Sequence, residues 1–393
     1  MINNATYIEI EYYQKTKTGE DVCGDDFKTV ALDDEDRNIA VLSDGLGSGI
    51  KASLLANMTT AMALKFATRN MEILLSSEII MDSLPVCEVR KISYATFTIV
   101  DILAGGKVRI TEMDNPPFIH LRGSAEMGHE KQRLTSSHWP DRALYIADFE
   151  AMPEDRIIFF SDGVSQAGLG RTPHKFGWKR QGCLEYVLAC IRNQPRISAR
   201  ELSRTVVTQA CSMNPDCRCI DDITCAVVYF RRPRRLRLLT GPPFKKENDR
   251  EFAGFVREFA GRTIICGGTT AQILARELQR EIKTKLFMRN QGLPPTSEMA
   301  GTDLVTEGIL TLTETARCLE ENVAPAVMAP SVRDIYNMFM ESDIIEFIVG
   351  TRVNEAHQDP SLPVDLEIRR NIVKKIRNLL ENTYRKKVLV KYI

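Results

Sequence analysis

The sequence predicts an α+β protein in two parts, a larger N-terminal domain of sheets covered by helices and a smaller mixed α/β domain after it. The chain has 393 residues, more than the roughly 250–300 residues at which one hydrophobic core usually stops growing. Strand-like runs bracket two long helical segments before residue 230, and a basic, proline-containing stretch at residues 231–245 then interrupts the pattern. These observations predict domains at residues 1–230 and 246–393.

Six runs in the first domain alternate in polarity or are continuously apolar, which is typical of strands, and several end in turns that carry Gly, Asp or Asn. The six runs occupy residues 7–13, 37–42, 94–101, 107–113, 156–160 and 224–230. Residues 51–75 are rich in Ala, Leu and Met at a spacing that predicts a helix with one buried face. Residues 184–211 predict a second helix. Strands that bracket two long helices favour a layered arrangement of sheets and helices.

The stretch at residues 231–245 combines five arginines with the prolines Pro233, Pro242 and Pro243. Prolines and a dense cluster of like charges disfavour continuous packed structure, so we interpret this stretch as a solvated linker. A contact with nucleic acid or acidic lipid is the alternative interpretation.

The second domain reads as mixed α and β. An apolar strand is predicted at residues 263–266, with helices at residues 271–284, 313–321 and 366–382. Gly267 and Gly268 make a strand-to-helix turn of a kind that can direct free N–H groups towards an anion. The motif is neither a P-loop nor GxGxxG, so a purely structural turn is the favoured interpretation. We expect this domain to act as a regulatory or partner-binding unit, through which the protein could also form a homodimer.

Composition excludes several classes of protein. Apolar residues make up 44% of the chain, and no apolar run approaches the ~20 residues that a membrane-spanning helix needs. No secretory signal is visible at the N-terminus, so the ten cysteines are expected to be reduced thiols in a cytoplasmic protein. Lys plus Arg equals Asp plus Glu at 52 each, which argues against nucleic acid as a partner. We expect neither a membrane nor a nucleic-acid partner.

Four aspartate-bearing turns in the first domain each adjoin an apolar strand. They are CGDDF at 23–27, LSDGLGSG at 42–49, FSDGVSQAG at 160–168 and DDIT at 221–224. Carboxylates at strand ends can converge on one rim, where they repel one another unless cations lie between them. Hard oxygen ligands without His or Cys favour Mg²⁺ or Mn²⁺. The four turns therefore predict a two-metal site that could activate a water for attack on a phosphoryl group.

In this order, the motifs GDD, SDGLGSG, SDGVSQAG and DDIT resemble those of the metal-dependent type 2C protein serine/threonine phosphatases, the PPM family. The segment EMDNPPFIHLRG at 112–123 is similar to the bacterial branch typified by stage II sporulation protein E. The resemblance covers most of residues 20–230. It implies a sandwich of two antiparallel sheets flanked by helices, and hydrolysis of phosphoserine or phosphothreonine by a metal-activated water without a covalent enzyme intermediate.

The resemblance also implies the roles of individual residues. Asp44 matches the carboxylate that bridges two Mn²⁺ or Mg²⁺ ions, and Gly45 matches the glycine whose carbonyl binds one of them. Asp162 and Asp221 match ligands of one ion, and Asp25 matches an acidic ligand of the other. Asp44, Asp162 and Asp221 are thus the expected catalytic residues.

Two neighbours of these ligands have different expected roles. Asp26 is the alternative to Asp25 if the register is shifted by one residue, and Asp222 is expected to support the ligands without binding a metal. No arginine precedes Arg37, so the metals themselves are expected to bind the substrate phosphate. The residues at 168–180 match the place of a mobile segment that shapes substrate access.

The expected substrate is a phosphorylated regulatory protein, with an anti-sigma-factor antagonist as the leading candidate by analogy with the branch. The alternative function is a non-catalytic signalling scaffold whose C-terminal domain senses a nucleotide or a phosphorylated ligand. Cys211, Cys217 and Cys219 stand directly before Asp221, and they are either ordinary reduced thiols or a redox-sensing loop.

Overall fold

The computed structural model describes residues 6–32, 35–84, 95–139, 142–170, 175–284, 296–352, 362–384 and 386–393. The chain separates into two compact units, Met1–Arg232 and Pro233–Ile393. Among the described residues, no helix is both long enough and apolar enough to cross a membrane.

Eleven strands and five α-helices are described in the first unit. The strands are β1 (Tyr7–Lys15), β2 (Asp25–Leu32), β3 (Arg37–Gly45), β4 (Ala95–Leu103), β5 (Lys107–Met113), β6 (Ile119–Arg122), β7 (Ala125–Glu126), β8 (Gln132–Leu134), β9 (Leu144–Glu150), β10 (Asp155–Phe160) and β11 (Ile223–Arg231). The helices are α1 (Gly49–Thr68), α2 (Ile73–Ser83), α3 (Asp162–Ser165), α4 (Lys179–Asn193) and α5 (Ala199–Ser212).

These strands form two antiparallel sheets that pack face to face. One sheet has the order β1-β11-β10-β6-β7, and the other has the order β2-β3-β4-β5-β9-β8. Leu42 and Val100 of the second sheet share one buried core with Phe159 and Val228 of the first. Helices α1 and α2 cover the outer face of the second sheet, and α4 and α5 cover the outer face of the first. The predicted antiparallel sandwich flanked by helices is confirmed.

Both long helices predicted in this unit are in fact pairs of helices. The segment predicted at 51–75 divides because α1 ends at Thr68 and Asn70 adopts a left-handed φ of 52°. Glu72 then caps α2 by accepting hydrogen bonds from the N–H groups of Leu74 and Leu75. The segment predicted at 184–211 divides in the same way. Ser198 caps the second helix of that pair, α5, by accepting from the Glu201 N–H.

The second unit is a layered α/β domain around a seven-stranded sheet. Its strands are β12 (Arg235–Thr240), β13 (Arg262–Cys266), β14 (Ile282–Thr284), β15 (Ser297–Met299), β16 (Leu304–Thr306), β17 (Ile344–Val349) and β18 (Lys387–Tyr392), in the order β14-β15-β16-β13-β12-β17-β18. Its helices are α6 (Asp249–Arg257), α7 (Gly268–Leu278), α8 (Ile309–Glu320), α9 (Pro330–Met340) and α10 (Leu362–Asn382). The predicted smaller mixed α/β domain is confirmed.

The strands from β16 to β18 in this order run parallel, and helices cover both faces of the sheet. Helices α6 and α7 pack on one face. Helices α8, α9 and α10 pack on the other face. Helices on both faces of the parallel strands explain why the interior strands β12, β13 and β17 are largely buried.

The predicted linker at 231–245 is wrong for residues 235–240, because they form β12, an interior strand of the second unit's sheet. Leu236 and Leu238 are fully buried, and β12 pairs in parallel with β13 and β17. Both arginines of β12 have an ion-pair partner. Arg235 and Arg237 both form ion pairs with Glu346 on β17, where Arg237 Nε lies 3.0 Å from Glu346 Oε2. A shared carboxylate on the neighbouring strand thus neutralises a local charge cluster that appeared incompatible with packing.

Candidate metal centre

The two sheets of the first unit bring the predicted ligands together at one end of the sandwich. Asp25 begins β2 and lies directly opposite Asp44 on β3 in the antiparallel register. Asp162 follows β10, and Asp221 precedes β11. The two sheets are linked at this end by Thr224, whose hydroxyl donates to Asp25 Oδ2 at 2.7 Å. Residues from all four sequence motifs therefore share one site.

The carboxylates are close enough to change one another's ionisation. Burial raises the pKa of Asp44 to about 10, with further contributions from the charges of Asp25 and Asp162 and from a side-chain hydrogen bond with Asp162. Burial also raises the pKa of Asp25 to about 7, although hydrogen bonds from Thr224 and Ser161 act in the opposite direction. The pKa of Asp221 is raised by burial and by the charge of Asp162. The charge of Lys17 lowers the pKa of Asp221 but does not outweigh these effects.

Two oxygen atoms of the group have no hydrogen-bond partner among the described residues, namely the buried Asp25 Oδ1 and Asp222 Oδ2. Among the described residues, no Lys or Arg forms an ion pair with any of the five carboxylates of the group, namely Asp25, Asp44, Asp162, Asp221 and Asp222. An unpartnered buried acceptor costs roughly 1–3 kcal/mol, so both oxygens favour a cation. Carboxylate oxygens without soft ligands suit Mg²⁺ or Mn²⁺. The side chains present therefore fit the expected ions.

Within the described ranges, no group of three or more His, Cys, Asp and Glu side chains is already arranged to hold one ion. Mg²⁺ usually binds through one or two carboxylates, with water completing the octahedron. The pairs available here are Asp25 with Asp44, and Asp162 with Asp221, so each ion would depend on few protein ligands.

The glycines of the two Asp-Gly motifs are required by close backbone approach. A Cβ on Gly45 would lie 2.0 Å from the carbonyl oxygen of Ala52, and a Cβ on Gly163 would lie 2.0 Å from that of Asp222. Real side chains do not tolerate such distances, so only glycine lets these two turns pack around the carboxylates.

Asp26 does not join the group. Its carboxylate lies 2.5 Å from Lys28 Nζ and accepts a hydrogen bond from Thr60 on α1. Alternation along β2 sends adjacent side chains to opposite faces, so only one of the two aspartates can reach the site. The structure therefore brings Asp25 to the carboxylate group and ties its neighbour to α1.

Asp222 lies in the group and is held from a distant part of the chain. The Lys17 N–H donates to Asp222 Oδ1 at 2.9 Å, and the Asp222 N–H donates to Asp221 Oδ1 at 3.0 Å. The loop before β2 thus orients the DDIT turn. Sequence reasoning missed Lys17, because nothing local links it to a residue 205 positions away.

Other supporting residues were also missed. Gln166 Nε2 donates to Asp162 Oδ2 at 2.7 Å, an i,i+4 contact that the FSDGVSQ motif would have allowed us to predict. The Asp44 N–H donates to the hydroxyl of Thr96 at 3.2 Å, and that hydroxyl also contacts Asn115 Oδ1. Asn115 belongs to the segment at 112–123, which connects that motif to the metal-binding turn.

Comparison with solved structures finds several phosphatase domains at low identity. The phosphatase domain with a regulatory fragment of stage II sporulation protein E from Bacillus subtilis has 18% identity and a TM-score of 0.47, over 57% of this chain and 62% of that one. The chain thus spans less than two thirds of that structure. RsbX in complex with magnesium has 19% identity and a TM-score of 0.41, over 57% of this chain and 95% of that one. The SiaA phosphatase domain of Pseudomonas aeruginosa has 16% identity and a TM-score of 0.43, over 56% and 85%.

Comparison with curated protein sequences gave no match. The model of the family described as stage II sporulation protein E, in contrast, matches residues 34–231. This match spans just over half of the chain and includes Asp44, Asp162 and Asp221, and the membership supports a phosphatase role. The chain belongs to the stage II sporulation protein E family.

Proposed function

We propose that this protein is a Mn²⁺- or Mg²⁺-dependent protein serine/threonine phosphatase that acts on a phosphorylated regulatory protein. The observation that carries the proposal is the convergence of five carboxylates from both sheets, without a Lys or Arg ion pair among the described residues. Holding such a group together raises the free energy of the folded protein. Binding of divalent cations would offset this repulsion, which is why the cluster supports a metal site.

The proposed ligands divide between two ions. Asp44 is the expected shared ligand, since it lies opposite Asp25 and its pKa is raised by burial and by the charges of both Asp25 and Asp162. Asp25 would complete one site, with the Gly45 carbonyl, and Asp162 and Asp221 would complete the other. When bound, two such ions supply a water of lowered pKa and neutralise charge on the phosphoryl group.

The chain's own residues would orient these ligands. Gln166 fixes one oxygen of Asp162, and Thr224 fixes one oxygen of Asp25. Thr96 accepts from the Asp44 N–H and so holds the turn that carries the shared ligand. Asp222 would remain outside the ligand set and position Asp221 through its backbone N–H. No nucleophilic Ser or Cys is required by this assignment.

A protein substrate is supported by exposed apolar side chains next to the site. Ile220 directly precedes Asp221 and is 48% exposed, and Ile50 begins α1 after the Asp44 turn and is 77% exposed. Phe176, within the predicted substrate-access segment 168–180, is also 77% exposed. Residues 171–174 of that segment lie outside the described residues. An anti-sigma-factor antagonist remains the leading candidate substrate, and the second unit is proposed to regulate activity or to bind a partner, including a second copy.

The test is hydrolysis of p-nitrophenyl phosphate and of a phosphoserine peptide with Mn²⁺, with Mg²⁺ and with EDTA. We expect metal-dependent turnover that falls roughly a hundredfold or more in Asp44→Asn, the scale on which loss of one charge-stabilising group acts. Asp26→Asn is the matched control, because Asp26 lies outside the carboxylate group and should retain most of the activity. Absence of turnover with either metal, on both substrates, would instead support the scaffold alternative.

A further inference from the structure

Two buried thiols touch each other beside the carboxylate group. Cys211 lies in the last turn of α5, and Cys219 lies in the loop that leads to Asp221. Their side chains are 2% and 3% exposed, and their sulfur atoms are 3.0 Å apart. A disulfide requires about 2.05 Å between the sulfurs, so the two atoms need to approach by only about 1 Å.

A third cysteine, Cys217, lies between these two in the sequence, and its thiol is exposed to solvent. Cys217 is exposed, and both it and Asp216 adopt left-handed backbone conformations, with φ of 52° and 54°. Burial raises the pKa of Cys211 to about 12, so this thiol stays protonated at neutral pH and reacts slowly with an oxidant by itself. An oxidant in solution therefore reaches Cys217 first.

The loop that contains Cys219 is fastened to the same segment that orients Asp222. The Cys219 N–H donates to the Thr18 hydroxyl at 2.9 Å, and the Thr18 N–H donates to the Cys219 carbonyl at 2.9 Å. The adjacent Lys17 N–H donates to Asp222 Oδ1. Movement of Cys219 towards α5 would strain its two hydrogen bonds with Thr18 and would therefore displace the turn that contains Asp221.

We propose that Cys211 and Cys219 are a modification site, at which a peroxide forms a reversible disulfide that weakens metal binding at Asp221. The metal-binding half of this inference rests on the proposed function, whereas the disulfide does not.

The chemistry balances with hydrogen peroxide as the oxidant. The Cys217 thiolate attacks one peroxide oxygen, which gives a sulfenic acid and releases hydroxide. A thiol of the pair displaces water from that sulfenic acid to form a mixed disulfide. The other thiol of the pair then attacks its partner's sulfur and releases the Cys217 thiol. Overall, two thiols lose two protons and two electrons, and one peroxide is reduced to two waters.

The experiment uses the full chain after treatment with hydrogen peroxide or with dithiothreitol. Peptide mapping without reduction should identify a link between Cys211 and Cys219, and titration should show Mn²⁺ binding weakened by about tenfold or more, the effect of losing one supporting contact to a ligand. Dithiothreitol should restore both measurements. Mn²⁺ binding by Cys211→Ser should not respond to peroxide, and Cys217→Ser should form the link more slowly.

Cys318→Ser is the matched control, since Cys318 is a buried cysteine of the second unit. This variant should respond to peroxide in the same way as the protein without a substitution. Thermal unfolding of each variant checks that the substitution preserves the fold. Failure to find the link, or a link that leaves Mn²⁺ binding unchanged, would overturn the inference. A reduced protein that binds no Mn²⁺ would overturn the proposed function and the metal-binding half, whereas the mapped link would still support the disulfide.

Discussion

Asp25 and Asp44 face each other directly across the β2–β3 ladder, two acidic side chains in a position where opposite charges would stabilise the sheet. Both are largely withdrawn from solvent, and the pKa of each is raised, to about 7 and about 10. Without a cation this pair opposes folding. The arrangement does not stabilise the apoprotein, which supports the proposed cation site.

The first prediction concerns stability with and without metal. In EDTA, Asp44→Asn should increase the free energy of unfolding, because it removes a buried acidic group from a cluster of like charges, and about 1–2 kcal/mol is expected. In Mn²⁺ the order should reverse. At a Mn²⁺ concentration a hundred times the dissociation constant, metal binding adds about 2.7 kcal/mol to the free energy of unfolding of the unsubstituted protein. The variant lacks this added stability. Urea unfolding in both buffers measures the difference, and Asp26→Asn, outside the cluster, should retain the metal-dependent gain.

The second prediction concerns pH and a buried carboxylate, Asp155, at the opposite end of β10 from the proposed ligand Asp162. Burial by itself would raise the pKa of Asp155, but hydrogen bonds from His120, Arg122 and the Met152 N–H outweigh burial and lower the pKa to about 2. Because the folded pKa lies below the unfolded value of about 3.9, the ionised group stabilises the fold above pH 4 by roughly 2–3 kcal/mol. This contribution is lost as pH falls from about 4 to about 2.

Urea unfolding of the unmodified protein and of Asp155→Asn between pH 7 and pH 2 measures this effect. The stability difference between the two should be constant above pH 5 and should shrink below pH 4. Asp148→Asn serves as the control, because its pair with Arg109 is more than half exposed and should contribute little at any pH. A difference that stays constant down to pH 2 would contradict the assignment.

The third prediction follows from the position of β12 inside its sheet, between β13 and β17. A fragment of residues 233–393 contains the whole second unit, whereas residues 246–393 lack the strand that joins β13 to β17. The shorter fragment also leaves Glu346 without either arginine partner, and a buried charge without its partner typically costs about 3–5 kcal/mol. We expect cooperative thermal unfolding by circular dichroism for residues 233–393 and none for residues 246–393. Cooperative folding of the shorter fragment would show that β12 is dispensable.

The strands and the aspartate-bearing turns of the candidate site could largely be predicted from local patterns. Alternating runs such as residues 107–113 match β5 at both ends, and the Asp-Gly turns at Asp44 and Asp162 lie at strand ends as expected. The predictions that differed have particular causes. The apolar content of residues 51–75 continues through the turn at Asn70, so composition by itself did not reveal the break. Arg235 and Arg237 suggested a linker, since their shared partner Glu346 is 109 or more positions away.

The sequence by itself determined the chemical character of the candidate site, namely four aspartate-bearing turns in a specific order, two of which continue with glycine. Only the tertiary structure decided that Asp25 and not Asp26 joins the group, that Lys17 and Thr18 hold the loop before Asp221, and that Cys211 meets Cys219. The physical reason is the distance along the chain between the residues that determine each feature. Backbone conformation and ligand type are encoded in a few neighbouring residues, whereas the facing of a strand and the partner of a side chain depend on packing between segments as far as 205 residues apart.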